Sequence, residues 1–493
     1  MLQLLIIGYV IYEIIRLSNL PDAGSYAPPP PPQPQPSLPL LRMSLIADLV
    51  WIKRGVPKAV PDKVKLSSEE IRTLIQEGEP ETSEVSDTDA ITGDETQQRG
   101  IRGSSPDVVD EGMDTDKYKL DQYDESDNER SNPLAGITTF ASPMEDPHIT
   151  TYVNSDEEDQ EDFEIKSDDN LVAVAKVYKN EYTLEVYLYN EADNDWYVHH
   201  DYILDVPPLC LESIYFDPGN DDKKGNLLAV GGIDGSIGIW DLDLVNSVEP
   251  TVTLGKTKTS KRKRQKRDGS AQKHSGAVLS LAWNRLTEHV LASGGADNSV
   301  ILWDLEETKP ETIATHFDGM VQAMEWHPAE SPILLTGTLS SQVGLTDCRK
   351  FDNLSRQWEV SGEVERLTWN HFSPFYFFVV TDNGHFYHMD TRKNKPVISK
   401  EVHNGGARSV VQSYYTKGLL STCGEDGLLK VWRLPEDSSD LELITEHNVN
   451  LGGLHICRFS PDSGSVVAVG GEKEEMVKIV EISKFEEVRR AFS

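Results

Sequence analysis

The chain has 493 residues and a formal net charge of −35 at pH 7. Its average field repels phosphates, which excludes nucleic-acid binding through the overall charge. The four cysteines are far apart, with no Cys-x-x-Cys and no histidine partners at zinc spacing, so they are interpreted as small core residues in a reducing compartment. No cofactor motif is present, and we predict no cofactor.

Residues 1–42 form an apolar and Pro-rich extension. Glu13 and Arg16 interrupt the apolar run, which is shorter than the roughly 20 residues that span a bilayer. No basic residues precede it, unlike a signal peptide. Three interpretations remain: an extension that is not native, with translation starting near Met43, which we favour; a genuine non-membrane extension; or a membrane anchor.

Residues 43–76 are predicted to be a short, partly helical N-terminal segment, with a helix starting at Ser67 or Ser68. Residues 77–160 are predicted to be a disordered acidic arm, because their few apolar side chains cannot offset the entropy cost of ordering. Residues 76–170 hold 29 acidic and 6 basic side chains. Three serines followed by acidic residues are candidate phosphorylation sites: Ser86, Ser126 and Ser155.

From 161 to 493 short β-branched and aromatic runs alternate with Gly, Asn and Asp turns. Leu291–Asp304 contains a strand, a polar turn around Asp297, and a second strand ending in Trp-Asp. The same layout recurs before Trp240 and Trp432, and degenerate copies bring the number to seven. Four strand ends are spaced 43 residues apart: Trp303, Thr346, Met389 and Trp432. This period resembles that of WD repeats, so the fold class predicted is all-β, a seven-bladed WD-repeat β-propeller with a disordered acidic N-terminal arm.

Two repeats carry a complete polar set, consisting of a histidine, a hydroxyl, an aspartate and a tryptophan. In both, the histidine precedes the tryptophan by 29 residues. Since the set recurs at blade spacing, we interpret it as a structural network and not as a catalytic triad, and we predict no enzyme activity. The sets are His274, Ser293, Asp297 and Trp303, and His403, Thr422, Asp426 and Trp432.

One repeat contains a basic insertion, residues 255–273, which is predicted to loop out from the ring. A compact Lys/Arg cluster in an acidic chain indicates nuclear import, with a solvated charged loop as the alternative. No aromatic side chains interleave with it, so any nucleic-acid contact would be through phosphates. The cluster consists of Lys261, Arg262, Lys263, Arg264, Lys266 and Arg267.

Arg366 and Arg408 follow the starts of two blades, so they are candidate partner-binding residues at one mouth of the ring. An ordinary charged rim residue is the alternative for each. Which mouth binds a partner is left open.

Several segments resemble one eukaryotic family, periodic tryptophan protein 1, over residues 44–493. They are Trp51–Glu70, Asp116–Asp124, Tyr197–Asp201, Asn284–Leu286, Asp297–Asp304 and Val364–Pro374. The resemblance implies a nuclear and nucleolar scaffold in ribosome production, associated with chromatin and with ribosomal RNA gene expression or pre-ribosome assembly. We further expect protein partners such as histones or pre-ribosomal factors, nucleic-acid contact that is indirect or through the basic loop only, no membrane, and a monomer within a larger complex.

Two other functions fit the same composition. The acidic arm could act as a chaperone surface for histones or ribosomal proteins, because it offers many carboxylates to basic partners. Propellers also serve as substrate receptors of ubiquitin ligases.

Overall fold

The computed structural model describes residues 44–64, 163–178, 181–255, 273–351, 353–435, 440–473 and 477–492. The predicted helix at Ser67 or Ser68 and the whole acidic arm, 77–160, lie outside these residues. In chain order the described strands, and the helix α1 that follows them, are β1 (Ser44–Ile52), β2 (Asp62–Lys63), β3 (Asn170–Tyr178), β4 (Glu181–Asn190), β5 (Asp195–Ile203), β6 (Pro208–Phe216), β7 (Lys224–Gly232), β8 (Ile237–Asp241), β9 (Leu244–Val245), β10 (Val252–Leu254), β11 (Val278–Trp283), β12 (Val290–Gly295), β13 (Val300–Asp304), β14 (Lys309–Ala314), β15 (Val321–Trp326), β16 (Ile333–Thr338), β17 (Gln342–Asp347), β18 (Arg356–Glu359), β19 (Val364–Trp369), β20 (Tyr376–Thr381), β21 (His385–Asp390), β22 (Ile398–Glu401), β23 (Ala407–Gln412), β24 (Leu419–Gly424), β25 (Leu428–Arg433), β26 (Glu442–Asn448), β27 (Leu454–Phe459), β28 (Val466–Gly471), β29 (Val477–Glu481) and α1 (Glu486–Phe492).

Seven antiparallel sheets form the blades of a closed ring. In chain order their strands, innermost first, are β1-β3-β4-β5, β6-β7-β8-β10, β11-β12-β13-β14, β15-β16-β17-β18, β19-β20-β21-β22, β23-β24-β25-β26 and β27-β28-β29. Each innermost strand packs beside the next, and β27 meets β1 to close the ring. The seven-bladed propeller predicted from the 43-residue period is confirmed, including the blades whose third strand has Thr346 or Met389 in place of the tryptophan.

The propeller begins earlier than predicted. Strand β1 is the innermost strand of the first blade and pairs with β3, so that Leu49 lies opposite Val174 and Trp51 opposite Val172. The boundary at 161 is therefore wrong, since the start of the segment 43–76 belongs to the ring. The pattern of β1 did not reveal this, because its pairing partner lies beyond the acidic segment in the sequence.

The core lies between neighbouring blades. One cluster joins Leu49 and Trp51 of the first blade to Ile456 and Val466 of the seventh. The indole of Trp51 also donates a 3.0 Å hydrogen bond to the carbonyl of Arg458 in that blade. Burying one large apolar side chain contributes about 1.5–3 kcal/mol, so this seam holds the two ends of the ring together.

Every innermost strand has a β-bulge near its start. A bulge leaves one residue unpaired and re-aims its side chain. The bulged residues are Ala47, Leu209, Leu279, Gln322, Glu365, Arg408 and His455.

Strand direction alternates within a blade, so connections leave the ring at two faces. The lower face, where the innermost strands end, carries the connections between first and second strands and between third and fourth strands. The upper face carries the other connections. The acidic segment joins β1 to β3 at the lower face, whereas the basic insertion joins β10 to β11 at the upper face. The two charged insertions therefore leave the ring at opposite faces.

Both ends of the acidic segment are attached to the ring. Strand β2 pairs in parallel with β9 of the second blade. Returning from the insertion, the carbonyl of Phe163 lies 3.1 Å from His199 Nε2, and the Ile165 amide donates to the Ala59 carbonyl at 2.8 Å. The segment is thus an insertion within the first blade, held at both ends, rather than an arm that precedes the propeller.

Candidate protein-interaction surface

The polar set of the third blade comes together as a buried chain of hydrogen bonds. The indole of Trp303 donates to Ser293 Oγ at 2.8 Å, and this oxygen lies 2.7 Å from His274 Nε2. His274 Nδ1 lies 3.0 Å from Asp297 Oδ1. Since the carboxylate can only accept, Nδ1 carries the proton and Nε2 accepts from the serine. Ser293 is fully buried and already committed to Trp303, so it is not placed to attack a substrate.

The sixth blade repeats this geometry. Thr422 Oγ1 accepts from the Trp432 indole at 2.8 Å and lies 2.8 Å from His403 Nε2. His403 Nδ1 lies 2.9 Å from Asp426 Oδ1. Burial raises the pKa of Asp426, but the hydrogen bond and attraction from His403, with the Leu428 amide and the charge of Lys430, together lower it below its usual value. The network therefore holds an ionised aspartate under the upper-face turn of the blade.

The second blade shows what replaces the network when it is lost. Leu204 and Val230 occupy the places of the histidine and the hydroxyl, and both pack in one apolar cluster with Trp240. A cavity of about 390 Å³ opens beside them at the upper face, where Gly255 and Lys273 flank the basic insertion. The predicted import cluster, Lys261 to Arg267, lies outside the described residues, as do Ser86, Ser126 and Ser155.

Arg408 was predicted to bind partners. This interpretation is wrong, because the residue is only 5% exposed. Its guanidinium is ion-paired with Glu365 of the fifth blade and with Glu425 of its own blade. Glu365 also accepts a 2.7 Å hydrogen bond from Gln322 of the fourth blade. The bulged positions of three successive blades are thus joined in one polar chain, so Arg408 is a structural residue.

Arg366 lies in the central channel, where its Nη2 is 3.4 Å from Asp48 Oδ1. It lines a cavity of about 330 Å³ that opens at the lower mouth. Two arginines that sequence reasoning missed, Arg285 and Arg458, line the same cavity, together with Glu212 and Glu325.

The carboxylates of this cavity connect consecutive innermost strands. Asp48 Oδ2 accepts the Leu211 amide at 3.0 Å, one blade further on. The two glutamates accept in the same way from the next blade. The Trp283 amide donates to Glu212 at 3.3 Å, and the Trp369 amide donates to Glu325 at 2.7 Å. These acids hold neighbouring blades in register, and their position explains why charged residues occur within strongly apolar strands.

Burial has a clear electrostatic effect on two of these acids. It raises the pKa of Glu325 to about 7, against the lowering effect of the Trp369 amide and the Thr368 hydroxyl. It also raises the pKa of Glu212. Each group is surrounded by protein while one side reaches the channel, so the charged form is only partly solvated.

An apolar rim surrounds the lower mouth. Leu286 is 52% exposed and Tyr415 61% exposed, beside the less exposed Phe372 and Tyr414. The ring of Tyr414 stacks on that of His371 with centroids 4.7 Å apart, which joins the turns of the fifth and sixth blades. Exposed aromatic side chains next to arginines are typical of the centre of a protein–protein interface.

A recognisable signal marked two of the residues that were missed, Glu325 and Arg458. Glu325-Trp326 and Arg458-Phe459 place a charge immediately before the aromatic end of an innermost strand.

Comparisons with known proteins agree with this architecture. The family model described as WD domain, G-beta repeat, matches residues 267–304. Periodic tryptophan protein 1 homolog of Drosophila melanogaster is 33% identical over 458 residues, covering 91% of this chain and 96% of the fly protein. The chain belongs to the periodic tryptophan protein 1 family. The Saccharomyces cerevisiae protein, Periodic tryptophan protein 1, is 28% identical, with 91% of this chain and 90% of the yeast protein covered.

Among solved structures, a chain of the mitotic checkpoint complex crystal structure aligns with a TM-score of 0.48 at 17% identity. The alignment covers 63% of this chain and 83% of that chain. As a WD-repeat member of the periodic tryptophan protein 1 family, the chain is a scaffold protein of a class that generally mediates protein–protein interactions. Within the described part of the chain, no helix has the length and apolarity needed to cross a membrane.

Proposed function

We propose that the chain is a non-catalytic nuclear and nucleolar scaffold in ribosome production, associated with chromatin and with ribosomal RNA gene expression or pre-ribosome assembly. Membership of the periodic tryptophan protein 1 family over 91% of the chain carries this proposal. The basic insertion supports a nuclear site of action, because Lys261 to Arg267 form a compact import-like cluster on an otherwise acidic chain.

The architecture supports a scaffold with separate contact regions. The acidic segment leaves the lower face and the basic insertion leaves the upper face, so partners of opposite charge have separate places to bind. Contact with nucleic acid is assigned to the basic insertion or to partner proteins, since the whole chain is strongly negative.

Affinity purification from nuclei, followed by mass spectrometry, tests the proposal with a protein starting at Met43. We expect chromatin proteins and pre-ribosomal factors among the partners. A variant lacking residues 256–272 should lose nuclear accumulation but melt at an unchanged temperature. Recovery of cytoplasmic or membrane proteins alone would contradict the nucleolar assignment.

A second candidate function is a chaperone for histones or ribosomal proteins. Residues 76–170 contain 29 acidic and only 6 basic residues, which favours this function because such a segment offers many carboxylates to a basic partner. Deleting residues 77–160 separates the two functions. If binding of purified histones is unchanged by the deletion, the chaperone function is excluded. Ubiquitin-ligase adaptor subunits among the purified partners would instead favour a substrate receptor.

A further inference from the structure

We propose that the lower mouth of the channel binds an acidic side chain of a protein partner, whose carboxylate is held by Arg285, Arg366 and Arg458. The inference rests on the proposed scaffold function only in requiring a protein ligand, and it is independent of the nucleolar assignment.

Two of the three arginines have a buried N–H donor without a hydrogen-bond partner. Arg366 Nη2 is 3.4 Å from Asp48 Oδ1, and Arg458 Nη2 is 4.0 Å from the same oxygen. The Nε atoms of both arginines are buried without a hydrogen-bond partner. Each guanidinium has five N–H donors, and buried donors without acceptors are costly. An added carboxylate would accept from the Nη donors that these partly exposed guanidinium groups present to the cavity.

The acids of the channel fill only part of this need, because most of their hydrogen bonds come from backbone amides. Asp48 Oδ1 already accepts the Leu49 amide at 3.0 Å, and Asp48 Oδ2 accepts the Leu211 amide at the same distance. Glu212 and Glu325 accept hydrogen bonds from backbone amides and a hydroxyl, not from guanidinium groups. Within the described ranges Arg285 has no ion pair or hydrogen bond, although Glu212 contributes an electrostatic attraction.

The size and rim of the site favour a peptide over a nucleic acid. A cavity of about 330 Å³ is at the lower end of the range for small-ligand sites, so it accepts one side chain rather than a polynucleotide. Leu286, Phe372, Tyr414 and Tyr415 surround it with apolar surface. Residues flanking the bound acid should therefore be apolar or aromatic, and the acid itself forms charge-assisted hydrogen bonds with the arginines.

The proposal is tested with immobilised hexapeptides that carry a central Glu among apolar residues, matched with the same peptides carrying Gln. We expect the purified full chain to bind the best Glu peptide at least tenfold more tightly than its Gln counterpart. Arg285→Gln and Arg458→Gln should each weaken Glu-peptide binding about tenfold and leave Gln-peptide binding unchanged. Arg349→Gln, at an exposed site away from the channel, is the matched control.

Because Arg458 helps to pack the channel, each variant is also melted, and Arg285→Gln is decisive if Arg458→Gln is unstable. Equal binding of Glu and Gln peptides would overturn the proposal. A second outcome would also overturn it: the chain binds inorganic phosphate or single-stranded RNA but no Glu peptide, and Arg285→Gln abolishes that binding. Glu-peptide binding that appears only after deletion of residues 77–160 would overturn the assignment to a partner, because the chain's own acidic segment would then occupy the site.

Discussion

The ammonium of Lys63 lies 4.3 Å from the centre of the Phe163 ring. This contact joins the two ends of the segment 65–162, which separates the first strand of the ring from the second. Because the ends already meet, the length of the inserted segment has little influence on the geometry of the blade. The same arrangement makes β1, the innermost strand that precedes the segment, indispensable to the ring.

Excising residues 77–150 should leave the melting temperature of the ring within about 3 °C of the intact protein. Loop-closure entropy changes slowly with loop length, so removing a long insertion between adjacent ends has a small effect. Circular dichroism during heating measures this.

A chain starting at residue 53 is the contrasting case, since it lacks β1. The loss removes the buried side chains of Leu49, Trp51 and Ile52, each contributing about 1.5–3 kcal/mol, and leaves β3 unpaired. The total approaches the 5–15 kcal/mol stability of a typical domain, so no cooperative melting is expected. A chain starting at Met43 retains β1 and should melt cooperatively. Cooperative melting of the chain starting at 53 would contradict the assignment of β1 to the ring.

Thr422→Val should lower the free energy of unfolding by about 2–4 kcal/mol, although the side chain keeps its shape. Both the Trp432 indole and His403 Nε2 lose their partner, and each buried polar atom left unsatisfied costs about 1–3 kcal/mol. Urea denaturation measures the change.

Thr422→Ser is the matched control, because it keeps the hydroxyl and loses about 1 kcal/mol for one methyl group. Adding His403→Leu to Thr422→Val reproduces the Leu204 and Val230 pair of the second blade and should recover part of the loss. Equal stability of the Val and Ser variants would contradict the network.

Glu325→Gln should change how stability depends on pH. The pKa of Glu325 is raised from 4.5 to about 7 in the fold, so the folded chain keeps a proton that the unfolded chain releases. Stability from this group is therefore present below pH 4.5 and is lost as pH rises towards 7. Between pH 5 and pH 8 the variant should gain up to about 3 kcal/mol relative to the wild type.

Urea titrations at pH 5, 6, 7 and 8 measure that difference. Glu359→Gln, at an exposed position of β18, is the control and should follow the wild type at every pH. Parallel curves for Glu325→Gln and the wild type would show that the acid is freely solvated in the channel.

Arg408→Met should cost about 3–5 kcal/mol of stability, because it leaves Glu365 buried without its cation. The double change Arg408→Met with Glu365→Gln should recover much of this loss, since no unpaired charge remains. Chemical denaturation of both variants measures the coupling. If Arg408→Met instead left stability unchanged and reduced the recovery of nuclear partners, Arg408 would be a binding residue after all.

The sequence by itself determined the number of blades and the positions of their third strands, because each blade is a local unit whose period persists even where its tryptophan is replaced. It also determined the polar sets around His274 and His403, whose spacing within one blade is constant. Only the tertiary structure decided that Ser44–Ile52 belongs to the first blade, since that pairing spans the acidic segment. Only the tertiary structure likewise showed that the two insertions leave the ring at opposite faces. It also showed that one channel contains Arg285, Arg366 and Arg458. These residues are brought together by ring closure, which joins blades far apart in sequence, and no local pattern records that closure.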